Sequence, residues 1–175
     1  MELLDVYNAQ HERTGRRLAR GVKPSEGERL LLVHACVLNS REELLIQRRQ
    51  LTKDRYPGCW DLSAGGFVLS GEDSADAVRR ELREEVGLRL GAEALRFLFT
   101  EPFDYVLDDF YLARSDAEPD ELPLQAEEVS EVRWASREEV EAMIADGRFV
   151  DYPPEAIRRV FRLAAEQKHA GPPQG

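Results

Sequence analysis

Three glutamates lie close together in one helix-forming segment: Glu81, Glu84 and Glu85, at positions i, i+3 and i+4. Residues three and four apart lie on the same face of an α-helix, so this spacing predicts three carboxylates side by side. Val78 and Leu82 are four apart on another face, which is the pattern of a helix with one buried stripe. Like charges at the spacing of Glu81 and Glu85 destabilise a helix by about 0.2–0.5 kcal/mol. A hard divalent cation, Mg²⁺ or Mn²⁺, would remove that cost because it binds carboxylate oxygens.

A solvated acidic face is the ordinary alternative for such a cluster, and Arg79, Arg80 and Arg83 stand among the glutamates as possible partners. The segment before the helix favours the metal site, because Gly65 and Gly66 form a glycine-rich turn that brings backbone oxygens next to the carboxylates. We therefore expect Mg²⁺ (or Mn²⁺) to bind where this turn meets the helix.

The segment from Gly66 to Leu88 carries a wider pattern. It reads Gly66, five residues, Glu72, seven residues, Arg80-Glu81-Leu82, one residue, Glu84-Glu85, one residue and Gly87-Leu88. This pattern resembles the Nudix box at every defined position, and the likeness extends to residues 57–60 before the box and 129–134 after it. The resemblance implies a Nudix hydrolase with the α/β/α sandwich of that family.

The resemblance also implies a role for each charged residue of the box. The implied metal ligands, directly or through water, are Glu81, Glu84 and Glu85, with help from the carbonyl of Gly65. Glu72 and Arg80 would complete the metal site from outside, with Arg80 orienting the carboxylate of Glu81 or of Glu72. Glu81 and Arg80 are thus expected to take part in catalysis.

A further glutamate is expected outside the box. The family often places such a residue in the loop before the strand at 132–134, where this chain has Glu127 and Glu128. Because the helix glutamates are committed to the metal, one of these two is predicted to be a metal ligand or the general base for the attacking water. A merely solvated acidic loop is the alternative, and Glu81 is then the next candidate for the base.

Two arginines, Arg48 and Arg49, follow one another in a predicted strand. Neighbouring residues of a strand point to opposite faces, so one of the two can face the surface where a diphosphate would lie. A planar guanidinium suits bidentate contacts to phosphate, which predicts a substrate-binding role for either residue. A surface salt bridge is the alternative.

Segments outside the box resemble the branch of the family related to isopentenyl-diphosphate isomerases. They are residues 5–15, the strand at 45–49 and the turn at 62–66. The isomerases need a cysteine just before the second glycine of that turn, where this chain has Gly65, and their box departs from the hydrolase pattern. The intact box here therefore favours hydrolysis over isomerisation.

Periodicity predicts the elements that must position these residues. The near-continuous apolar run at 30–38 is typical of a central strand, and the pattern at 73–86 of an amphipathic helix. Further strands are expected at 3–7 and 16–18 (a hairpin within residues 1–28), 43–49, 95–100, 103–113 and 132–134, and helices at 136–146 and 153–168. Strands interleaved with helices predict an α/β fold with a mixed sheet between helices. Residues 1–169 are expected to form one domain, and 170–175 a flexible tail.

Composition limits the possible partners. The chain has 175 residues, 42% hydrophobic and 33% charged, and a formal net charge of −10. This charge disfavours a nucleic-acid polymer or an anionic membrane surface as partner, whereas a small-molecule diphosphate is compatible if cations reverse the local field. No basic segment followed by an apolar stretch begins the chain, which predicts a cytoplasmic protein. The cysteines Cys36 and Cys59 and the histidines His11, His34 and His169 match no metal-ligand spacing, so no chemistry is assigned to them.

The predicted reaction is hydrolysis of a nucleoside diphosphate derivative or a similar small organic diphosphate by water attack at phosphorus. The alternatives are a non-catalytic ligand-sensing domain with the same fold and, less in keeping with the intact box, an isopentenyl-diphosphate isomerase. An apolar N-terminal hairpin is also compatible with a homodimer.

Overall fold

Nine strands and three α-helices are found in residues 1–169, the part of the chain that the computed structural model describes. The strands are β1 (Leu3–Tyr7), β2 (Arg13–Ala19), β3 (Leu30–Leu38), β4 (Leu44–Arg49), β5 (Trp60–Asp61), β6 (Ala64–Phe67), β7 (Arg96–Phe103), β8 (Val106–Arg114) and β9 (Val129–Ala135). The helices are α1 (Ser74–Glu85), α2 (Arg137–Ala145) and α3 (Pro154–His169). The tail predicted at 170–175 lies outside the described residues. Within 1–169, no helix is long and apolar enough to cross a membrane.

The central sheet has seven strands and is mixed. Its main path runs β5-β4-β3-β8-β7, while β6 pairs with β3 and β9 pairs with β4. Strands β3 and β8 are parallel, and the other neighbours in this sheet are antiparallel. The mixed sheet predicted from the sequence is thereby confirmed.

Helices cover both faces of this sheet. Val33 and Ala35 of β3 belong to one hydrophobic cluster with the buried residues of α1, whereas Cys36 and Leu38 belong to another with those of α2 and α3. A strand covered on both faces needs apolar side chains in both directions, which explains the near-continuous apolar run of β3. The predicted α/β/α sandwich is therefore confirmed.

Helix α1 begins and ends as its sequence predicts. The side chain of Asp73 accepts a hydrogen bond from the backbone N–H of Asp76 at 2.8 Å and so caps a free amide of the first turn. Val78 and Leu82 are fully buried. After the C-cap at Val86, Gly87 has a φ of +70°, the left-handed conformation that commonly ends a helix at glycine.

The turn between β7 and β8 differs from the prediction, which placed the break at Glu101 and Pro102. Strand β7 continues through Pro102 to Phe103, and the chain turns at Asp104, whose φ is +50°. Strand β7 lies at the end of the sheet, where proline is tolerated because no further strand needs its missing N–H. As a consequence Phe103 is 53% exposed at the mouth of a cavity, not packed in the core.

The predicted N-terminal hairpin is present as a separate two-stranded sheet of β1 and β2. Its apolar side chains Leu4, Val6 and Leu18 pack against Leu30 within the same chain, while most of β2 is exposed and polar. These three apolar side chains of the hairpin are therefore used within the chain. The oligomeric state stays a prediction.

Candidate active site

A cavity of about 720 Å³ lies beside α1, and this volume is in the range of small-molecule sites. Its wall includes Glu81, Glu84 and Glu85 from α1 and Gly65 and Gly66 from β6. The three carboxylates that the spacing places on one helix face thus line one cavity, next to the glycine turn.

Glu85 is the most buried of these glutamates, with 8% of its surface exposed. Its Oε2 atom accepts hydrogen bonds from Nε2 of Gln47 at 2.7 Å and from the backbone N–H of Gly65 at 3.1 Å. Burial raises the pKa of Glu85 to about 8, and the charge of Glu81 acts in the same direction. A cation in the cavity would favour the ionised form of this carboxyl.

The carboxylate of Glu81 occupies the space beside Gly66 that a side chain at position 66 would need. A Cβ atom on Gly66 would stand 2.1 Å from Oε1 of Glu81, far inside van der Waals contact. Burial raises the pKa of Glu81, although the guanidinium of Arg80, 2.7 Å from Oε1, acts in the opposite direction. A larger residue at position 66 would therefore displace this carboxylate from its present position.

Arg80 joins the helix to the turn. Its Nε donates to Oε1 of Glu72 at 2.9 Å, its Nη1 to Oε1 of Glu81 at 2.7 Å and its Nη2 to the carbonyl of Phe67 at 3.1 Å. Burial by itself lowers the pKa of Arg80, but the two carboxylates outweigh it, so the pKa is raised. Arg80 thus has the contacts that the orienting role requires.

Glu72, which was expected to complete the metal site from outside, does not line the cavity with the three glutamates of the helix. Glu72 lies outside the cavity, where its carboxylate accepts from Arg80 and, through Oε2, from the backbone N–H of Leu69 at 3.1 Å. Its two oxygens are therefore used to hold Arg80 and the turn. This arrangement favours a positioning role for Glu72.

Glu84 is the most exposed carboxylate of the three, with 45% of its side chain accessible and Oε2 3.4 Å from Nη1 of Arg80. Among the described residues, acidic, histidine and cysteine side chains do not converge as a set of three metal ligands. The physical reason is that Arg80 holds Glu81, while Gln47 and Gly65 hold Glu85. The donor set still fits a hard divalent cation, because it consists of carboxylate and backbone oxygens along one cavity.

The two consecutive arginines face opposite sides, as expected. Arg49 lines the cavity, where its Nη1 donates to Oδ2 of Asp61 at 2.9 Å. Arg48 lies outside the cavity, its Nε donating to the carbonyl of Gly58 at 3.1 Å and its Nη1 lying 3.7 Å from Glu131. Of the two arginines, Arg49 is therefore the one placed to meet a ligand in the cavity, and the substrate-binding role stays a prediction.

Glu127 and Glu128 both line the cavity from the turn before β9. Glu127 is exposed, and Glu128 is half-buried in an ion pair with Lys53, which also lines the cavity. The structure thus brings both candidate bases to the same cavity as the helix glutamates, and their roles stay predictions.

Four polar residues on the cavity wall were not predicted from the sequence: His34, Asp61, Asp108 and Tyr152. The hydroxyl of Tyr152 donates to Oδ1 of Asp61 at 2.7 Å and lies 3.3 Å from Nδ1 of His34, whose Nε2 is 3.6 Å from Oδ1 of Asp108. Burial by itself lowers the pKa of His34, but the surrounding carboxylates, Asp108 first, outweigh it and raise the pKa. The sequence shows a histidine inside an apolar strand, which could have indicated this wall. It does not show which residues surround that histidine.

Comparison with known proteins agrees with this geometry. Residues 28–156 match the family model described as the NUDIX domain. The chain is 40% identical over 152 residues to an uncharacterised Nudix hydrolase of Listeria monocytogenes, covering 87% of this chain and 90% of that protein. It is 36% identical over 166 residues to a Nudix hydrolase of Deinococcus radiodurans, covering 92% and 95%. A crystal structure of a Deinococcus radiodurans protein has a TM-score of 0.77 at 30% identity, covering 90% of this chain and 98% of that one.

Fold and site together define an α/β protein in which a glycine turn and a glutamate helix line a small-molecule cavity. The matches identify the class more narrowly: the chain belongs to the Nudix family and is a Nudix hydrolase. The family resemblance carried by the box is thereby confirmed. The likeness to the branch of the isopentenyl-diphosphate isomerases stays a prediction.

Proposed function

We propose that this Nudix hydrolase cleaves the diphosphate linkage of a nucleoside diphosphate derivative, or of a similar small organic diphosphate, with the help of Mg²⁺ or Mn²⁺. The observation that supports the proposal is that Glu81, Glu84 and Glu85 line one cavity together with Gly65 and Gly66. Such a wall repels phosphate, so a diphosphate can lie against it only with cations in between.

The residues proposed to hold the cation are Glu81, Glu84 and Glu85, with the carbonyl of Gly65. A bound divalent cation neutralises phosphate charge and lowers the pKa of water. Arg80 would keep Glu81 turned toward the cavity, and Glu72 would keep Arg80 in place. Gln47 and the N–H of Gly65 would fix Glu85 in the same way. Side chains that are fixed by such contacts need little reorganisation to bind a cation and substrate.

Cationic side chains that line the same cavity are proposed to bind phosphate oxygens. Arg49 lines the cavity and is oriented by Asp61, while Lys53 lines it in an ion pair with Glu128. A phosphate that attracts Lys53 would release the carboxylate of Glu128 to accept a proton. Water would then form the new bond to phosphorus, the bridging P–O bond would break, and the water proton would pass to this glutamate.

A panel of organic diphosphates tests the proposed reaction. With Mg²⁺ we expect release of phosphate or of a monophosphate from at least one nucleoside diphosphate derivative, and EDTA is expected to lower that rate by about 100-fold or more because charge neutralisation is lost. The panel includes isopentenyl diphosphate, from which we expect no isomer, since Gly65 has no acid–base group where the isomerases carry cysteine.

Other results of the panel would point elsewhere. Tight binding of unchanged diphosphates without turnover would make the protein a ligand-sensing domain. Formation of dimethylallyl diphosphate from isopentenyl diphosphate would identify an isomerase, and a rate that EDTA leaves unchanged would refute the metal dependence.

A second prediction concerns the general base. Glu127→Gln or Glu128→Gln is expected to lower kcat by about 100-fold and to remove the acidic limb of the pH profile, with saturating Mg²⁺, because the amide accepts no proton. Glu128 is the stronger candidate, since its ion pair with Lys53 places it among the cavity cations. Glu118→Gln, which changes an exposed acidic residue of the preceding loop, is the matched control and is expected to leave both quantities unchanged. Full activity and an unchanged acidic limb in both variants would move the base to Glu81.

A further inference from the structure

The cavity has a second polar wall, on the other side of Gly65 from Glu85. The backbone N–H of Gly65 donates to Oε2 of Glu85 at 3.1 Å, and a Cβ atom on Gly65 would stand 2.9 Å from Nδ1 of His34. One glycine therefore separates the glutamate site from His34. A ligand whose diphosphate lies at the glutamates has this second wall within reach of the group attached to it.

Hydrogen bonds hold this wall in one arrangement. The hydroxyl of Tyr152 uses its proton toward Oδ1 of Asp61 at 2.7 Å, so its oxygen is left to accept from Nδ1–H of His34 at 3.3 Å. The other oxygen of Asp61 accepts from Nη1 of Arg49 at 2.9 Å. Asp61 and Tyr152 are thus satisfied, and they orient the ring of His34 so that its Nε2 faces Asp108.

Asp108 completes this wall beside His34, whose Nε2 lies within ion-pair distance of its carboxylate. Its Oδ1 is buried and has no hydrogen-bond partner among residues 1–169, since Nε2 of His34, at 3.6 Å, is too distant for a hydrogen bond. The side chain lines the cavity and is 14% exposed. Because Oδ1 itself is buried, a ligand in the cavity would reach the other oxygen of this carboxylate, and a donor placed there would stabilise the carboxylate, which only accepts hydrogen bonds when it is ionised.

The neighbours of Asp108 in the cavity add to its preference for donors. Glu101 is paired with Asp108 in the β7–β8 register and also lines the cavity, so a second carboxylate lies alongside. The ring of Phe110, two residues further along β8, is buried and lies 5.1 Å from the ring of His34 between centroids, so it packs behind the histidine. The two carboxylates accept hydrogen bonds and repel anions.

We propose that Asp108 and His34 form the subsite for the organic group attached to the diphosphate, and that Asp108 selects groups that present a hydroxyl or amino donor. The inference rests on the proposed function and names its substrate class. A hydrocarbon group would bury Asp108 without a donor, and a site built for hydrogen bonding discriminates strongly against a ligand that lacks the partner.

The test compares two substrates in wild type and in Asp108→Asn. One is the best nucleoside diphosphate derivative of the panel, which carries hydroxyl donors, and the other is isopentenyl diphosphate, whose organic group carries none. We expect the wild type to favour the nucleoside derivative, and Asp108→Asn to lower kcat/KM for it by about 10- to 100-fold, mainly through KM. The rate with isopentenyl diphosphate is expected to change by less than about threefold.

Two further variants test whether the change in the substrate ratio is specific to Asp108 and His34. Asp151→Asn removes an exposed carboxylate of the same cavity that is not part of the proposed subsite, and it is expected to leave the ratio between the two substrates unchanged. Tyr152→Phe keeps the ring but removes the hydroxyl that orients His34, so it is expected to change the ratio in the same direction as Asp108→Asn, by a smaller factor.

The outcomes distinguish this subsite from the reaction itself. If the wild type cleaves neither substrate, the proposed function fails. The subsite is then tested by calorimetry in Mg²⁺, where Asp108→Asn is expected to change the ratio of the two binding affinities in the direction given above for kcat/KM. Equal losses for both substrates in Asp108→Asn, or a wild-type preference for isopentenyl diphosphate, would overturn the subsite while leaving hydrolysis intact.

Discussion

Glu85→Gln is expected to lower turnover with saturating Mg²⁺ by about 1,000-fold while the protein stays folded. The substitution removes a charge from the proposed cation site but keeps the shape of the side chain. Its amide oxygen can still accept from Gln47 and from the N–H of Gly65, the two donors that hold Oε2 of Glu85 at 2.7 and 3.1 Å. Steady-state rates and circular dichroism measure the two effects separately.

Without metal, the same substitution is expected to stabilise the folded protein at high pH. Burial raises the pKa of Glu85 to about 8, so the folded protein disfavours the ionised carboxyl. An acid with a raised folded-state pKa loses stability as the pH rises from its unfolded-state pKa toward the folded one. In EDTA, wild type and Glu85→Gln are therefore expected to be equally stable near pH 4, and the variant to be more stable at pH 8 by on the order of 4 kcal/mol.

Glu84→Gln is the matched control, because Glu84 belongs to the same proposed site but has 45% of its side chain exposed. It is expected to lose turnover as Glu85→Gln does, and to show no gain in metal-free stability at pH 8. Denaturant unfolding at the two pH values provides the measurement. Loss of folding in either variant would indicate that the glutamates serve the structure and not the reaction.

Local signals explain what could be predicted from the sequence. Helix α1 is defined by the cap at Asp73, by the buried stripe of Val78 and Leu82 and by the left-handed Gly87, all of which lie within one segment. The bounds of β3 follow from a continuous apolar run that only a strand covered on both faces requires. The three carboxylates lie on about one turn of a helix, so the helix itself brings them together. Their place along one cavity could therefore be predicted from their spacing.

Non-local packing explains what could not be predicted. His34 and Asp108 meet because β3 and β8 pair in parallel, and Tyr152 joins them from the segment before α3; periodicity along the chain contains no information on this pairing. Strand β4, which carries Arg49, pairs with β3, β5 and β9. The orientation of Arg49 toward the cavity depends on these pairings. Glu72 fits the pattern of the box equally well as ligand or as support, and only its contact with Arg80 separates the two.

Arg80→Met is expected to lower the free energy of unfolding by about 3 kcal/mol at pH 7, because it leaves the mostly buried carboxylates of Glu72 and Glu81 without their cationic partner. Turnover with Mg²⁺ is expected to fall by about 10- to 100-fold, the usual effect of removing a residue that orients a metal ligand. Since burial already raises the pKa of Glu81, losing Arg80 raises it further. The stability deficit should therefore shrink as the pH falls and the carboxyl becomes neutral.

The neighbouring Arg79 supplies the control for Arg80. Arg79 pairs with Asp76 at the start of α1, is about one-third exposed and lies outside the cavity, so Arg79→Met is expected to cost less than about 1 kcal/mol and to leave turnover unchanged. A double-mutant cycle of Arg80→Met with Glu72→Gln then tests how Arg80 acts. If Glu72 works through Arg80, its substitution adds little once Arg80 is gone, both in unfolding free energy and in kcat. Additive losses in the cycle would show that Glu72 acts independently of Arg80, which would contradict the positioning role.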